Sequence, residues 1–552
     1  MKKQQYISKT NYVLGTLSPR ALWVKFHKSD VVDESTLVDQ MKIEEGFLVT
    51  EYTYDYYQNG KIVHALEIAK AEKKTQELLN DDSVKYIFEA AFRVQEKGQR
   101  DLVVRVDVLE KVAPGVVNII EAKSSNNAFK SEKKYFLTDI AFQKYVVEKN
   151  DLVVNEVSIQ HLNPTYTKEE EISLDDLFLV DRIFPSIKGD INSWTSDRGI
   201  DIESEKDILK WQKRVSKRQE TFNNEYVSIK QNLQDIQKIL RKRTEPNEDI
   251  KSVSHTLLAP FKKYFNSLHD THSIEDFVNV HTRKKSFKEQ ELFNISDFST
   301  EQAQKFLSQK QKIQWESIKR NKVIVNVPKV EEQMNELVFP LFHLDFESIN
   351  YAVPRHADSS PNQQIVFQAS IHKENEKREL EHSEFLDVTG NDPRRELALY
   401  LIKNLESVGS VVVYYAPFER TRIEELAELF QDLSEDLLAI NERMWDLNEI
   451  FKTMAIYHPN FRGKNSIKTV GPIFAPSISY KDMLVNNGEK AQAYYSLLIS
   501  GELTKKESKK YYDALSAYCT QDTYIMAVVI WKIREIIEES NYMEALDLPC
   551  FV

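Results

Sequence analysis

Two acidic residues lie inside an apolar stretch at residues 341–350, and they constrain the fold more than any other feature of the sequence. The stretch LFHLDFESIN is typical of a buried β-strand, and Asp345 and Glu347 stand two residues apart within it. Residues two apart in a strand project to the same face. Two carboxylates on one face of a buried strand are costly unless they share a cation, and Mg²⁺ and Mn²⁺ prefer carboxylate oxygens. The pair therefore predicts half of a divalent-metal site; two solvated acids on an edge strand are the alternative.

Length and composition favour a multidomain protein. The chain has 552 residues, more than one hydrophobic core usually supports. Hydrophobic residues make up 41% and charged residues 29%, a balance typical of soluble globular proteins. The sequence has no apolar run long enough to span a membrane, and its amino-terminal residues lack the apolar core of a signal peptide. We therefore expect a cytoplasmic protein without a membrane partner.

Cysteine usage and charge exclude several classes of protein. With Cys519 and Cys550 as the complete set, neither a disulfide framework nor a four-cysteine zinc or iron–sulfur site is feasible. A net charge of −12 argues against a generally basic nucleic-acid coat protein, although a local basic groove around acidic metal ligands is compatible with it. The sequence lacks a G-x-x-x-x-G-K-[ST] loop, so any helicase activity would belong to a partner protein.

The amino-terminal third changes from helical to β periodicity near residue 86. Helical apolar spacing over residues 60–79 predicts a helix with His64 in its first turns. Short turns then separate runs that are rich in β-branched residues. We expect strands over residues 86–94, 102–112, 116–124 and 153–162, with a helix over residues 136–149 before the last strand.

Asp107 and Glu121 lie in consecutive predicted strands of this region, and Lys123 follows Glu121 by two residues. Antiparallel neighbours joined by a short turn can bring such acids together. The two acids could hold Mg²⁺, while the lysine could position the attacking water and a phosphate. A surface hairpin with chance acids is the alternative.

The order of these residues resembles that of PD-(D/E)XK nucleases, most closely the RecB-like branch that includes the CRISPR-associated exonucleases. The matching elements are G-x-x-x-H at Gly60 and His64, an acid at Asp107, E-x-K at Glu121 and Lys123, and Q-x-Y at Gln143 and Tyr145. The resemblance implies a restriction-endonuclease-like αβ core in which His64, Asp107, Glu121 and the Ala122 carbonyl bind metal. It also implies that Lys123 is catalytic, that Gln143 and Tyr145 lie near the substrate, and that Glu89 is a weaker candidate.

This region departs from the family pattern in two ways. The family's last motif is usually a longer Q-x-x-x-Y. Ser18 stands where many relatives have a cluster-binding cysteine, so we expect no iron–sulfur cluster.

The middle of the chain, residues 166–335, is predicted to be mostly helical and basic. Between Lys206 and Arg243, eleven lysines and arginines stand against four acids, over one long helix or a helical hairpin. A solvated helix face is the interpretation we favour, and an arm that tracks phosphates is the alternative. Another helix is predicted over residues 302–325.

The carboxy-terminal third continues from the Asp345–Glu347 strand in an α/β pattern. We expect strands over residues 364–372 and 382–388, a helix over 391–407, a strand–turn–helix unit over 410–430, and helices over 443–452 and 515–537. Glu419 stands at the turn of the strand–turn–helix unit. Tyr518 and Asp522 lie four residues apart on one face of the last helix.

This arrangement resembles the RNase H-like DEDD exonucleases, in the subgroup with a tyrosine four residues before the last aspartate. The resemblance implies that Asp345, Glu347, Glu419 and Asp522 surround two metal ions about 3.5–4 Å apart. Tyr518 would orient the attacking water. Glu419 stands where the family has aspartate, and Asp446, on the predicted helix over 443–452, is the substitute candidate. The carboxy-terminal third also resembles a domain of unknown function that pairs with RecB-like nucleases in bacteria.

These resemblances predict a nuclease domain at residues 1–165, a basic helical connection at 166–335 and an RNase H-like domain at 336–552. The expected activity is hydrolysis of phosphodiester bonds with Mg²⁺ or Mn²⁺, by an exonuclease rather than an endonuclease, on DNA with RNA as the second choice. A helicase or a repair or defence protein would be its partner. The alternative is a nucleic-acid-binding scaffold in which one or both sites are inactive.

Overall fold

A computed structural model describes residues 6–33, 36–126, 135–184, 205–246, 256–266, 272–280 and 283–542. These residues have the expected mixed α/β structure. They form two compact units: unit 1 is Met1–His269 with Asn350–Gln363, and unit 2 is Asp270–Ile349 with Gln364–Val552. The region that was predicted to be a separate connection is divided between the units after His269. Cys550 lies outside the described residues.

Unit 1 combines a mixed sheet with helices on its flanks. Its strands are β1 (Tyr6–Ser8), β2 (Lys61–Ile62), β3 (Tyr86–Val94), β4 (Asp101–Ala113), β5 (Val116–Lys123), β6 (Val153–Leu162) and β7 (Phe178–Phe184). Its helices are α1 (Lys9–Leu17), α2 (Pro19–His27), α3 (Leu37–Tyr56), α4 (Ile68–Leu79), α5 (Tyr135–Glu148), α6 (Leu174–Leu177), α7 (Glu205–Leu240) and α8 (Lys262–Asn266). Short 3₁₀ helices lie at Ser29–Val31 and Thr256–Phe261.

The sheet of unit 1 has the order β2-β3-β4-β5-β6-β7, and β1 pairs with β4. The β3–β4–β5 meander is antiparallel, as its short turns predict. By contrast β1 runs parallel to β4, and β6 runs parallel to β5 after the α5 crossover. The meander therefore brings the strand that carries Asp107 beside the strand that carries Glu121 and Lys123.

The predicted strands and the α5 helix are confirmed to within a residue or two at each end. The helix predicted over residues 60–79 is wrong in its first half, because helix α4 begins at Ile68. Lys61 and Ile62 instead pair with β3, and Gly60 approaches the Phe88 ring so closely that a Cβ atom would lie 2.2 Å from it. His64 therefore lies in an exposed loop.

The charged segment of the middle region forms the single long helix α7, one of the two predicted arrangements. It packs against α1, α2 and α5. Gly15 makes this approach feasible, because a Cβ atom there would lie 2.7 Å from the Ile236 side chain. Helices α1 and α5 meet through the stacked rings of Tyr12 and Phe142, whose centroids are 4.5 Å apart.

Unit 2 is built around a second mixed sheet. The strands of unit 2 are β8 (Ile324–Val325), β9 (Leu341–Asn350), β10 (Gln364–Glu374), β11 (Leu380–Leu386), β12 (Ser410–Val413), β13 (Met444–Asp446) and β14 (Ile456–Tyr457). Strands β8 and β14 pair with each other in a separate two-stranded sheet. The helices of unit 2 are α9 (Lys284–Glu289), α10 (Thr300–Phe306), α11 (Gln309–Arg320), α12 (Val327–Met334), α13 (Arg394–Asn404), α14 (Ala416–Leu429), α15 (Ser434–Glu442), α16 (Asn448–Lys452), α17 (Ile467–Phe474), α18 (Gly488–Ile499) and α19 (Lys505–Tyr542). Its 3₁₀ helices are Ile274–Asp276, Ile295–Asp297, Gln431–Leu433 and Pro459–Phe461.

Strand β9 is the centre of this sheet, whose order is β11-β10-β9-β12-β13. The side chains of Phe342, Leu344 and Phe346 belong to the core that α13, α14 and α15 cover. Because neighbours alternate along a strand, Asp345 and Glu347 project to the opposite face. Helix α19 packs on β10, and its residues share a core with Leu341, which is on that opposite face.

Two secondary-structure predictions in this part of the chain are wrong. The helix expected over residues 302–325 is two helices, because Ser308 caps the start of α11 in a reciprocal capping box with Gln311. The helix expected over residues 443–452 begins only at Asn448, because Met444–Asp446 pairs in parallel with β12. Across the part of the chain that the structure describes, helices of membrane-spanning length and hydropathy are absent.

Candidate metal centres

Three acids of unit 2 converge where β9 meets helix α19. Asp345, Glu347 and Asp522 each offer a carboxylate oxygen, and these oxygens lie within 4.8 Å of one another. Oxygens that bind one ion at about 2.0–2.6 Å lie at most about 4–5 Å apart, so the arrangement fits a divalent cation. Glu347 and Asp522 are buried, with 7% and 5% of their surface exposed. This is the one set of three such ligands that meets within the described ranges.

Glu419 adds a fourth acid to this cluster. It lies in the first turn of α14 and is 3% exposed, and its Oε2 atom has no hydrogen-bond partner. Burial and the charge of Asp345 raise the pKa of Glu419 well above its usual value. A buried carboxylate oxygen without a partner is unfavourable, and a cation would satisfy it. Glu419 is not one of the three acids whose oxygens lie within 4.8 Å of one another, so its role as a metal ligand stays a prediction.

Asp446 does not fit the substitute role. Its carboxylate accepts hydrogen bonds from the backbone N–H groups of Tyr415, Ala416 and Asn448 at 2.9, 3.0 and 2.9 Å. Tyr415 has a left-handed φ of 82°, an uncommon backbone conformation that these bonds hold in place. Asp446 therefore fixes the turn from which α14 starts, and so positions Glu419, rather than offering free oxygens to a metal.

A lysine and two tyrosines complete the unit 2 cluster. Lys468, on α17, donates a hydrogen bond to the Tyr518 hydroxyl, and the Tyr480 hydroxyl donates one to Asp522. The Tyr518 hydroxyl lies within hydrogen-bonding reach of Glu347 and Asp522, and it opposes the upward shifts that burial causes in the pKa of both acids. Tyr518 thus lies among the acids, as predicted, whereas Lys468 and Tyr480 were not predicted.

Crowding dominates the electrostatics of this cluster. Burial, together with the charge of Asp522, raises the pKa of Asp345 well above its usual value. Burial and the charges of Asp345 and Asp522 do the same to the pKa of Glu347, and burial raises the pKa of Asp522. The charge of Lys468 opposes these three shifts without cancelling them. The cluster therefore holds more negative charge than its own residues neutralise.

Cys519 packs beside Asp345 and is fully buried. Its Sγ atom is 3.7 Å from both the carbonyl oxygen and Oδ2 of Asp345. Burial raises the pKa of the Cys519 thiol well above its usual value, which disfavours the thiolate that a nucleophile needs. This environment favours a packing role for Cys519 over a catalytic one.

Unit 1 holds a second acid cluster between β4, β5 and α5. Glu121 is buried, and its Oε1 atom is 2.5 Å from Lys123 Nζ and 2.8 Å from Lys9 Nζ. Lys9 Nζ is also 3.4 Å from Asp107 Oδ1, and Asp107 Oδ2 accepts a hydrogen bond from the Ala122 N–H group at 2.9 Å. The predicted trio of Asp107, Glu121 and Lys123 is therefore together, with Lys9 as an unpredicted fourth member.

Helix α5 contributes residues that only partly match the prediction. Gln143 donates hydrogen bonds to Glu121 Oε2 at 2.7 Å and Asp139 Oδ1 at 3.1 Å. Asp139 stands four residues before Gln143, so both lie on the face of α5 towards the cluster. Tyr145 lies on another face, and its ring packs edge-on against Tyr226. The Gln143 prediction thus gains structural support, while the Tyr145 prediction gains none.

The lysines set the charge state of the unit 1 cluster. Burial would raise the pKa of Glu121, but the charges of Lys123 and Lys9 hold it well below its usual value. Burial and the charge of Glu121 raise the pKa of Asp107 to about 7. Burial would lower the pKa of Lys9, but the charges of Asp107, Glu121 and Asp139 raise it well above its usual value. Both lysines are held as cations, so they already neutralise much of the acid charge.

Two weaker predictions concern residues at the edge of the unit 1 cluster. Glu89 lies in β3 opposite Asp107, and its left-handed φ of 56° is uncommon inside a strand. The Tyr54 hydroxyl donates a 3.4 Å hydrogen bond to Glu89 Oε1. His64 is exposed in the loop after β2, and its nitrogens do not join the Asp107 and Glu121 oxygens in any three-ligand group of the described residues. Asp107 and Glu121 could bind one side of a metal ion, but His64 does not lie where it would supply a further ligand.

The cluster residues that were not predicted come from segments that are far from their partners in the sequence. Lys9 is 98 and 112 residues from its two acidic partners, and Lys468 is 50 residues from Tyr518. Asp139 could have been predicted from the sequence, because it is an acid within the mostly apolar run FLTDIAF and stands four residues before Gln143.

No curated protein matches the chain. Residues 342–466 are similar to the family model of a domain of unknown function, DUF2779. This matched segment includes Asp345, Glu347, Glu419 and Asp446. It ends before Lys468, Tyr518 and Asp522.

Proposed function

We propose that the protein is a divalent-metal-dependent nuclease that hydrolyses phosphodiester bonds, with DNA as the favoured substrate and RNA as the second. The convergence of the Asp345, Glu347 and Asp522 oxygens within 4.8 Å carries this proposal. The unpartnered Glu419 oxygen beside them supports it, because four acids exceed what Lys468 neutralises. Mg²⁺ and Mn²⁺ are the ions whose preferences match an all-carboxylate set.

The topology of both units supports the finer fold proposals. In unit 2, a central β9 carries two ligands, α14 and α19 supply the others, and β12 and β13 run parallel to β9. This order supports an RNase H-like domain of the DEDD exonuclease kind. In unit 1, an antiparallel β3–β4–β5 meander is followed by the α5 crossover to a parallel β6, which supports a restriction-endonuclease-like core.

The residues of unit 2 divide the work of hydrolysis. Asp345, Glu347, Glu419 and Asp522 would hold the metal, which when bound neutralises phosphate charge and lowers the pKa of a water molecule. Tyr518 is held by Lys468 and lies among these acids, so its hydroxyl can orient the attacking water. Lys468 would add a positive charge beside these acids that can pair with the phosphate of a substrate. Substrate orientation and charge stabilisation of this kind supply most of the rate gain in phosphoryl transfer.

A cleft beside Glu347 offers room for a nucleotide. The half-buried ring of Phe418 contributes apolar surface, while Ser348, Gln364 and Gln492 contribute polar groups. Aromatic rings can stack on any nucleobase, and amide groups can hydrogen-bond to base edges. A cleft that adjoins the metal ligands supports removal of nucleotides from a strand end, which is the exonuclease form of the proposal.

The unit 1 cluster supports a second active site less strongly. Lys123, Asp107 and Glu121 have the contacts that the nuclease resemblance requires, but the two lysines already neutralise Glu121. This observation favours the alternative that unit 1 binds nucleic acid and contributes little hydrolysis. Nucleic-acid binding and hydrolysis by unit 1 can be measured separately.

A nuclease assay on end-labelled single- and double-stranded DNA and RNA, with Mn²⁺ or Mg²⁺, tests the proposal. The native chain is compared with Lys123→Ala, Asp345→Ala and the double substitution, and Asp513→Ala, an exposed acid of α19, is the matched control. If unit 2 carries the activity, Asp345→Ala abolishes cleavage and Asp513→Ala leaves it intact. Cleavage that disappears only in the double variant establishes two working sites. A native chain that binds nucleic acid but degrades none of the four substrates contradicts the nuclease proposal.

A further inference from the structure

Lys9 sits in the unit 1 cluster although no sequence motif assigns it a role. Its Nζ atom is 2.8 Å from Glu121 Oε1 and 3.4 Å from Asp107 Oδ1. These two acids are the ones expected to hold a divalent ion in unit 1. An ammonium group within ion-pair distance of both neutralises the same charge that the ion would.

The fold holds Lys9 in this position. Ser8 ends β1 and caps α1 by accepting a 3.2 Å hydrogen bond from the Asn11 N–H group, so Lys9 is the first residue of the helix. Strand β1 pairs with β4, the strand of Asp107, and α1 packs on α5. With 25% of its side chain exposed, Lys9 is enclosed on most sides. Its contact with the acids is therefore a consequence of the core rather than of a mobile surface side chain.

Lys9 and Lys123 contact the acids in different ways. Lys123 shares β5 with Glu121 and reaches Glu121 and Asp139, at 2.5 and 3.5 Å. Lys9 instead bridges β4 and β5, because its ion pairs connect Asp107 with Glu121. The bridging place between those two carboxylates is where a shared cation would bind.

We propose that the Lys9 ammonium is the built-in cation of the unit 1 cluster, and that a divalent ion binds between Asp107 and Glu121 only by displacing it. This inference rests on the proposed nuclease function. It makes Lys9 a positioning residue with two effects of opposite sign. Lys9 stabilises the cluster in the absence of metal, and it weakens metal binding there by competition.

The test measures Mn²⁺ binding by titration calorimetry on the full chain, in a background of Asp345→Asn and Glu347→Gln that removes the unit 2 ligands. In this background we compare Lys9 with Lys9→Met, which keeps the length of the side chain and removes its charge. We expect Lys9→Met to bind Mn²⁺ at least tenfold more tightly and to unfold at a lower urea concentration without metal. Lys70→Met is the control, because Lys70 pairs with Glu67 on the exposed surface of α4.

Two further variants keep the test decisive. Lys9→Arg retains the charge, so we expect its Mn²⁺ affinity to stay close to that of the background chain. If Lys9→Met does not fold without metal, Lys9→Gln is measured instead, together with recovery of its folded circular dichroism signal on addition of Mn²⁺. An unchanged or weaker Mn²⁺ affinity in the uncharged variant, or the absence of such a recovery, overturns the inference.

Failure of the inference and failure of the proposed function give different results. A native chain that cleaves nucleic acid, with a Lys9→Met variant whose Mn²⁺ affinity is unchanged, overturns the inference alone. A chain that cleaves no substrate, with a Lys9→Met variant that binds Mn²⁺ tenfold more tightly, overturns the nuclease proposal and leaves the role of Lys9 in place.

Discussion

The two acid clusters of this protein neutralise their charge in opposite ways. In unit 1, Lys9 and Lys123 form ion pairs with Glu121, and the pKa of that buried acid is held well below its usual value. In unit 2, the pKa values of Asp345, Glu347 and Glu419 are raised, by burial first and by neighbouring acids second. In unit 1 the lysines neutralise Glu121, although burial and the charge of Glu121 still raise the pKa of Asp107 to about 7; in unit 2 the charge of Lys468 does not cancel the upward shifts in pKa.

This difference predicts that the two clusters depend on a metal ion to different extents. Acids that already have ion-pair partners gain less from a divalent ion, because the ion must replace interactions that exist. Crowded acids without partners gain more, because the ion removes their mutual repulsion. We therefore expect unit 2 to bind Mg²⁺ or Mn²⁺ more tightly than unit 1, and unit 1 to depend more on its lysines.

The largest expected effect is the loss of activity in Asp345→Asn. This substitution keeps the shape of the side chain and removes one ligand charge, so the metal no longer has the full carboxylate set. Because a metal supplies several kcal/mol of transition-state stabilisation, we expect cleavage to fall by at least about 100-fold. The measurement is cleavage of end-labelled DNA in a Lys123→Ala background, where unit 2 alone remains. Retention of more than half of the activity would contradict the comparison, because unit 2 would not be the site that needs the ion.

The second effect is on stability and belongs to unit 1. Glu121→Gln leaves Lys9 and Lys123 without their shared partner in a buried site. Removing one member of a buried ion pair typically costs about 3–5 kcal/mol, so we expect a decrease of that size in the free energy of unfolding. Urea denaturation without metal measures it, with Glu67→Gln on the exposed surface of α4 as the control. A change below about 1 kcal/mol would show that the lysines do not neutralise this acid.

The third effect is the pH dependence of stability that Glu419 causes. Burial and the charge of Asp345 raise the pKa of Glu419 in the folded chain above its unfolded value of about 4.5. Its contribution is therefore complete below that value and is lost as the pH rises through the folded pKa. We expect the metal-free chain to be less stable at pH 8 than at pH 5, and Glu419→Gln to recover about 1–3 kcal/mol at pH 8.

Metal and variant controls distinguish this effect from general alkaline destabilisation. Mn²⁺ should restore stability at pH 8 in the native chain and do less in Glu419→Gln, because that variant has lost a ligand. Urea midpoints at pH 5 and pH 8, with and without Mn²⁺, give all four values. If Glu419→Gln is equally destabilised at both pH values, Glu419 is an ordinary structural residue. In that case the acid cluster of unit 2 has no uncompensated negative charge for a metal ion to neutralise.

The sequence was sufficient for what local patterns encode. Apolar and β-branched runs bounded by turns identified β3 to β6 and β9 to β11. The spacing of Asp345 with Glu347 and of Tyr518 with Asp522 placed these residues on shared faces that the structure brings together. The predicted helix over residues 60–79 failed because pairing of Lys61 and Ile62 with the sheet overrode local helical spacing.

Long-range contacts were beyond such patterns. The side chain of Lys9 meets Glu121 across 112 residues, and the backbone N–H groups around Tyr415 occupy Asp446 through a turn that no local motif reveals. Lys9 and Lys468 are therefore residues that the sequence did not identify. Prediction from the sequence found Lys123 and most of the acids, but not these two lysines, which contact the acids only through the tertiary fold.

The smallest expected effect compares the tyrosines that were predicted at the two sites. Tyr518 lies among the acids of unit 2 and takes a hydrogen bond from Lys468, so Tyr518→Phe should lower cleavage about 10- to 100-fold. Tyr145 is buried on a different face of α5 from Gln143, with its ring against Tyr226, so Tyr145→Phe should change cleavage less than twofold. Initial rates on end-labelled DNA measure both. If Tyr145→Phe lost as much activity as Tyr518→Phe, the tyrosine hydroxyl of unit 1 would act in hydrolysis, and unit 1 would be a working active site despite the two lysines that neutralise Glu121.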